Sequence, residues 1–170
     1  MRGKKTTADI LDEVGKSTNT SAELLRTELK YSCEKMTIEP ESVLGQIQRL
    51  RDSGIECVIA TDNMDTFRDY TIPALGLADL FDDFLISNEL GVLKFDIDSK
   101  KTKIPFFDEY LRSKGLSYGD VALVDDCVDD GFYADAGFRI MQVHKPGDLT
   151  KHVQALLKDV GAQRKSVSAQ

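Results

Sequence analysis

The chain has 170 residues, of which 41% are hydrophobic and 30% are charged, a composition typical of a folded globular protein and not of a disordered one. This length leaves room for one domain of ordinary size. The 22 Lys and Arg residues against 29 Asp and Glu give a net charge of −7, which argues against a protein that binds nucleic acid through a basic face. No apolar run approaches the roughly 18 to 20 residues of a membrane span, so we expect no membrane partner.

The cysteines and the first residues predict a soluble, cytoplasmic protein. Cys33, Cys57 and Cys127 are spaced like neither a zinc site nor a disulfide framework, so reduced thiols are the simplest interpretation. The stretch MRGKKTTADI is basic but lacks the apolar segment of a secretory signal.

The first part of the chain predicts a helical hairpin. Residues 7–16 and 21–36 carry Leu, Ile and Val at spacings of three and four, and Ser and Thr stand where they can cap the second helix. Helices of this length are marginal alone, so the hairpin must pack on another element. The polar ends, MRGKK and residues 161–170, look unstructured.

From Pro40 onward the pattern alternates between strand and helix. A helix begins near Pro40 and ends at Gly54, and Pro73 should kink or end a later one. Four short apolar runs are predicted as buried strands, at 57–62, 84–87, 121–126 and 138–143. Helical segments lie between and after them, at 67–76, 105–115 and 148–161. The alternation predicts a mostly parallel sheet covered by helices on both faces.

Ligands of such a sheet bind beyond the carboxyl ends of the strands, and those ends are polar here. The first strand ends in Thr61, Asp62 and Asn63. Capping of a following helix is the alternative role for Thr61 and Asp62, because such side chains satisfy free backbone N–H groups.

The strand at 121–126 ends in Asp125 and Asp126, with Asp129 and Asp130 in the next turn. Like charges held together repel one another unless a cation or a basic side chain neutralises them, and oxygen ligands suit magnesium. The alternative is a solvated acidic turn that begins a helix.

Lys94 follows the second predicted strand, where a loop lysine could reach a carboxylate or a phosphate, or could simply be solvated. Cys127 is a poor candidate nucleophile because the neighbouring carboxylates disfavour its thiolate. The sequence contains no GxSxG, no HExxH and no cluster of His and Cys, which argues against serine and zinc hydrolases.

Taken together, these segments resemble the haloacid dehalogenase-like hydrolase superfamily over about residues 38–158. VIATDN is similar to the family's strand that ends in Thr or Ser, and GLADLFDDFLISNELGVLK is similar to the segment that carries the family's lysine. VDDCVDD, followed by Ala134 and Gly137, is similar to its acidic magnesium motif. The matching positions are Thr61, Lys94, Asp125, Asp126 and Asp130.

The resemblance implies an α/β fold with a three-layer, Rossmann-like parallel sheet at residues 38–160, a helical cap remnant at 1–37 and a polar tail at 161–170. It also implies a Mg²⁺-dependent hydrolase, most simply a phosphatase of small phosphorylated molecules. Thr61 would hydrogen-bond the transferring phosphoryl group, and Lys94 would pair with the nucleophilic carboxylate and the phosphate. The cation would be held by Asp126 together with Asp125 and Asp130.

The sequence departs from the family in its nucleophile motif. No DxD followed by Thr precedes residue 57, the DxD within 95–98 follows Lys94, and Phe95 stands where the family commonly has proline. The strand that carries this motif is central in the family's sheet, between the strands that correspond to 57–62 and 121–124. Those strands would therefore pair directly, accept a strand from another chain, or belong to a fragment of a longer protein.

Two further hypotheses follow from this departure. One is a non-catalytic binding or interaction module that self-associates or accepts a partner strand. The other is an acidic site that binds a cation without turnover.

Overall fold

A computed structural model describes residues 1–99, 103–126 and 131–167, with side chains as far as residue 162. The described residues form a mixed α/β structure that is mostly helical. The chain divides into two compact units: unit 1 comprises Met1–Ile38 and Val58–Glu109, and unit 2 comprises Glu39–Cys57 and Tyr110–Gln170. No described helix is both long enough and apolar enough to cross a membrane.

All four predicted strands are present, and each forms a parallel pair as expected, but the prediction that they are buried is wrong in part, because none is buried along its whole length. They are β1 (Val58–Thr61), β2 (Asp83–Ile86), β3 (Ala122–Asp125) and β4 (Arg139–Gln142). β1 pairs with β2, and β3 pairs with β4. The ladders form two separate two-stranded sheets where the sequence predicted one, so direct pairing of β1 with β3 is not found among the described strands.

The predicted hairpin is present as α1 (Thr7–Thr18) and α2 (Ala22–Glu34). Thr6 and Asp9 form a reciprocal capping box at the start of α1, and Ser21 caps α2. The connection is tight at Gly15, where an added Cβ would lie 2.7 Å from the Thr20 carbonyl oxygen. A side chain at position 15 would therefore push the two helices apart.

The hairpin packs on a π-helical turn at Phe67–Thr71, where α2 meets it. The Thr71 hydroxyl contacts the Met36 sulfur at 3.8 Å, and the Lys30 ammonium lies 5.9 Å from the centre of the Tyr70 ring. The turn changes to α4 (Ile72–Ala74) at Pro73, which has no N–H to donate to the preceding turn. The predicted irregularity at Pro73 is confirmed.

The core of unit 1 lies against β1 and β2. It is formed by buried side chains of α4, α5 (Leu77–Leu80) and β2, and partly buried aliphatic and aromatic side chains pack around them. The buried members are Ile72, Leu77 and Ile86. A short helix, α6 (Ser87–Leu90), follows β2 directly.

Unit 2 contains α3 (Ser42–Asp52), a 3₁₀ turn at Tyr118–Asp120, α8 (Phe132–Ala136) and α9 (Pro146–Val167) beside β3 and β4. α7 (Pro105–Lys114) confirms the predicted helix at 105–115. The principal helix–helix contact of unit 2 is between α3 and α9. α9 continues to Val167, so the prediction that the segment after residue 160 is unstructured is wrong as far as residue 167.

Candidate functional site

The parallel register brings the ends of β1 and β2 together. Thr61 pairs with Ile86, so the residues after Thr61 lie beside the start of α6. The Asn63 amide donates to the Ser87 hydroxyl oxygen at 3.0 Å, and that hydroxyl donates to the Asn63 carbonyl oxygen at 3.2 Å. Because Ser87 is fully buried, water cannot replace these bonds, and the turn after β1 is fixed to β2.

Asp62 fastens the turn after β1 to the loop that carries Lys94. Its Oδ1 accepts a hydrogen bond from the Lys94 backbone N–H at 2.9 Å. The capping alternative is therefore wrong for Asp62, whose carboxylate binds a loop amide 32 residues away. The local N–H groups are satisfied by its neighbours, since Met64 N–H donates to the Asn63 side chain and Thr66 N–H donates to the Asp65 side chain.

We call Thr61, Asp62, Asn63, Ser87 and Lys94 the strand-end cluster. Thr61 and Lys94 are both half-buried. Among the described residues, none is hydrogen-bonded to the Thr61 hydroxyl, which leaves that group able to donate to a ligand. The cluster thus combines a hydroxyl donor and a lysine at one end of a parallel sheet, where ligands of such sheets bind.

The N-terminal segment also reaches this end of the sheet. The Arg2 guanidinium makes a two-pronged ion pair with Asp96, and the Asp96 carboxylate also accepts the Leu93 N–H at 2.8 Å. The Arg2 contact first, and the Leu93 amide second, lower the pKa of Asp96. Thr7 donates its N–H to Asp65 at 2.9 Å and its hydroxyl to the same carboxylate. The prediction that MRGKK is unstructured is therefore wrong for Arg2.

A second ion pair joins α6 to the π-helical turn. Arg68 donates through two nitrogens to Glu89, at 2.7 and 2.8 Å, and its guanidinium lies 5.2 Å from the centre of the Phe84 ring. The hydrogen bonds from Arg68 are the main cause that lowers the pKa of Glu89. A lowered carboxyl pKa means that the pair stabilises the fold above the unfolded pKa of about 4.3 and loses this effect as the pH falls below it.

Glu89→Gln should therefore destabilise the protein at pH 7 and have a diminishing effect at acid pH. The pair is exposed on both sides, so we expect a loss of at most about 1 kcal/mol in the free energy of unfolding at pH 7. The measurement is urea unfolding of wild type and variant between pH 7 and pH 3. A difference that stays constant over this range would show that the charge of Glu89 is not the cause.

The acidic end of β3 lies in unit 2. Asp125 is half-buried and ends the strand, with its carbonyl oxygen accepting the Val143 N–H at 2.8 Å, and Asp126 is exposed. Cys127, Asp129 and Asp130 lie outside the described residues. Within the described part of the chain, no three His, Cys, Asp or Glu residues are grouped closely enough to hold a metal ion. The adjacent carboxylates of Asp125 and Asp126 are a pair of oxygen donors of the kind that magnesium takes.

The structure thus joins Thr61 and Lys94 at one end of the sheet in unit 1, and it places Asp125 and Asp126 in unit 2. Sequence reasoning missed the contributions of Arg2, Asp96 and Ser87. Arg2 and Asp96 are 94 positions apart, and no local sequence pattern indicates such a contact. Ser87 had one detectable signal, since it is the first polar residue after the apolar run of β2.

Comparison with known proteins gives no family for this chain. A scan against protein-family models and a search of curated proteins each find no match.

Proposed function

We propose that this chain is a haloacid dehalogenase-like protein of phosphatase lineage, and that its strand-end cluster binds the phosphoryl group of a small molecule. The observation that carries the proposal is the 2.9 Å hydrogen bond from the Lys94 amide to Asp62, the residue directly after Thr61. This bond joins the segment that resembles the family's strand ending in Thr or Ser to the segment that resembles its lysine-bearing segment. The proposal extends to the three-layer, Rossmann-like parallel sheet that the resemblance implies.

Each residue of the cluster has a separate task in phosphoryl binding. The Thr61 hydroxyl donates a hydrogen bond to a non-bridging phosphoryl oxygen, and the Lys94 ammonium offsets the phosphate charge. Asp62 and Ser87 hold the backbone segments that carry these two groups. These hydrogen bonds between side chains and the backbone form without a ligand, so the site is preorganised.

Magnesium belongs to the same proposal. The resemblance implies that Asp125 and Asp126, with Asp130, would hold the ion, since carboxylate oxygens are the ligands that magnesium prefers.

Hydrolysis in the family also needs an aspartate nucleophile, and the 170-residue chain has no DxD followed by Thr before residue 57. The remaining groups position and polarise a phosphoryl group without attacking it. We therefore expect phosphate binding by this chain to be easier to detect than turnover.

Inorganic phosphate should stabilise the wild-type chain, and Lys94→Ala should weaken its binding by about 10- to 100-fold, the range for loss of a charged hydrogen bond. The measurement is the rise in thermal unfolding temperature with phosphate concentration, at ionic strength matched with sodium chloride. Lys16→Ala removes an exposed lysine of α1 in the same unit and is the matched control. Phosphate affinity that is equal in the wild type and Lys94→Ala would contradict the proposal.

Turnover is tested with p-nitrophenyl phosphate, in the presence of magnesium and then of a chelator, beside Asp126→Asn. Magnesium-dependent turnover that the variant lacks supports a hydrolase with a carboxylate from elsewhere. Phosphate binding without turnover supports a family member that binds its ligand but does not hydrolyse it.

The two-stranded sheets favour a second function, the binding of a further strand. Each contains two strands, and no third described strand is hydrogen-bonded to either. A two-stranded sheet is marginal by itself and its outer edges can accept a further strand. This supports a module that self-associates or binds a strand of a partner.

Self-association predicts an average mass that rises above 18.9 kDa as the concentration is increased. Sedimentation equilibrium over a hundredfold range of concentration measures it. A mass of one chain throughout that range would remove self-association and leave only a foreign strand as the partner.

A further inference from the structure

Two carboxylates hold the loop around Lys94. Asp96 lies in the loop itself, and Asp62 lies in the turn after β1. Asp96 accepts the Leu93 N–H at 2.8 Å, and Asp62 accepts the Lys94 N–H at 2.9 Å. Two consecutive amides are thus bound by two negative charges. A cation beside these carboxylates offsets their negative charge.

Arg2 is that cation. Its Nη2 lies 2.7 Å from Asp96 Oδ1, and its Nη1 donates to the other oxygen of the same carboxylate. The hydrogen bonds to Asp96, and then the charges of Asp96 and Asp62, raise the pKa of Arg2, so the guanidinium keeps its proton throughout the range in which the protein is folded. Arg2 therefore neutralises Asp96, the carboxylate that holds the Leu93 amide, and the charge of Asp62 also attracts the guanidinium.

The segment that carries Arg2 is itself fixed on both sides. Gly3 has a φ of +65°, and a Cβ there would lie 2.4 Å from the Asn88 carbonyl oxygen, so the backbone passes directly against the residue after Ser87. Thr7 is bound to Asp65 through its N–H and its hydroxyl. Arg2 is consequently held at the end of the sheet by backbone contacts as well as by its charge.

We propose that Arg2 is a positioning residue for Lys94, which fastens the loop of residues 91–98 to the end of β1 so that the lysine is presented to a phosphoryl ligand. The ligand part of this inference rests on the proposed function. An arginine suits the task better than a lysine because its planar guanidinium binds both oxygens of Asp96. Arg2 does not touch the ligand in this role.

The first test measures the loop directly, by amide hydrogen exchange of the full chain with any tag at the C-terminus. Arg2→Ala should speed exchange in residues 91–98 by roughly two- to fivefold, the effect of losing an exposed but two-pronged ion pair, and Arg2→Lys should fall between it and the wild type. Exchange in α2 should not change. Arg26→Ala, which removes a long, exposed ion pair with Asp12 in the same unit, is the matched control. Exchange of residues 91–98 in Arg2→Ala that equals the wild-type rate overturns the inference.

The second test separates positioning from direct ligand contact. Arg2→Ala should weaken inorganic phosphate binding by a similar two- to fivefold in the wild-type background and should have no effect when Lys94 is already alanine, because Arg2 acts through Lys94. A loss that persists in Lys94→Ala would make Arg2 a ligand of the phosphate and overturn the positioning role. If the wild-type chain does not bind phosphate, the proposed function fails, and exchange in residues 91–98 still decides whether Arg2 holds the loop.

Discussion

Ile86→Ala should lower the free energy of unfolding by about 2–5 kcal/mol, the range for deleting the outer carbons of a buried aliphatic side chain. Ile86 ends β2 and has no solvent exposure. It lies in the centre of the unit 1 core, with buried Ile72 and Leu77 and a ring of partly buried neighbours around them. Since packed helices and strands close this site from several directions, the structure cannot collapse fully into the cavity.

Ile10→Ala is the control for this substitution. Ile10 is 39% exposed on α1, so the same deletion there removes less buried surface and leaves no closed cavity, and we expect a loss of about 1 kcal/mol or less. Urea unfolding followed by circular dichroism measures both variants. Equal losses in the two variants would show that Ile86 is not at the centre of the core.

The sequence was sufficient to predict the helices and strands whose pattern lies within a few neighbouring residues. Runs such as VIAT and ALVD are short, mostly apolar and end in a polar residue, and each became a strand of four residues. The hairpin of α1 and α2 was predictable for the same reason, because its apolar spacing and its Thr6 and Ser21 caps lie within a few residues of the helix starts. Pairing of β1 with β2 in parallel followed from the helices between them.

The arrangement at the end of the sheet could not be predicted in this way. The sequence predicts Thr61 and Lys94 because they lie in recognisable motifs, but the group that brings their segments together is the Asp62 carboxylate, for which capping is the simpler expectation. Arg2 lies in a polar stretch with no periodicity, and its role depends on Asp96, far along the chain. Such contacts are decided by which elements meet in space, and composition and periodicity do not contain that information.

The turn after β1 also depends on a contact between residues far apart in the chain, Asn63 and Ser87. A substitution of Ser87 should have the second large effect on stability. Ser87→Ala removes one oxygen from a fully buried site and leaves the Asn63 N–H and C=O without the partner that both of them use. An unsatisfied buried group costs about 1–3 kcal/mol, and the cost per group lies at the lower end here because Asn63 is only half-buried, whereas the missing oxygen leaves only a small void. We therefore expect a loss of about 1–3 kcal/mol in the free energy of unfolding, and faster exchange of the Asn63 amide.

Ser17→Ala is the matched control, because the Ser17 hydroxyl also donates to a backbone carbonyl, that of Val14 at 2.9 Å, but does so on the exposed surface of α1. Water replaces that bond, so the change should stay within about 0.5 kcal/mol. If Ser87→Ala proved as mild as Ser17→Ala, solvent would have to reach Asn63, and the strand-end cluster would be open rather than preorganised. A loss in the expected range, together with weaker phosphate binding, would instead show that one buried hydroxyl sets the geometry in which Thr61 meets its ligand.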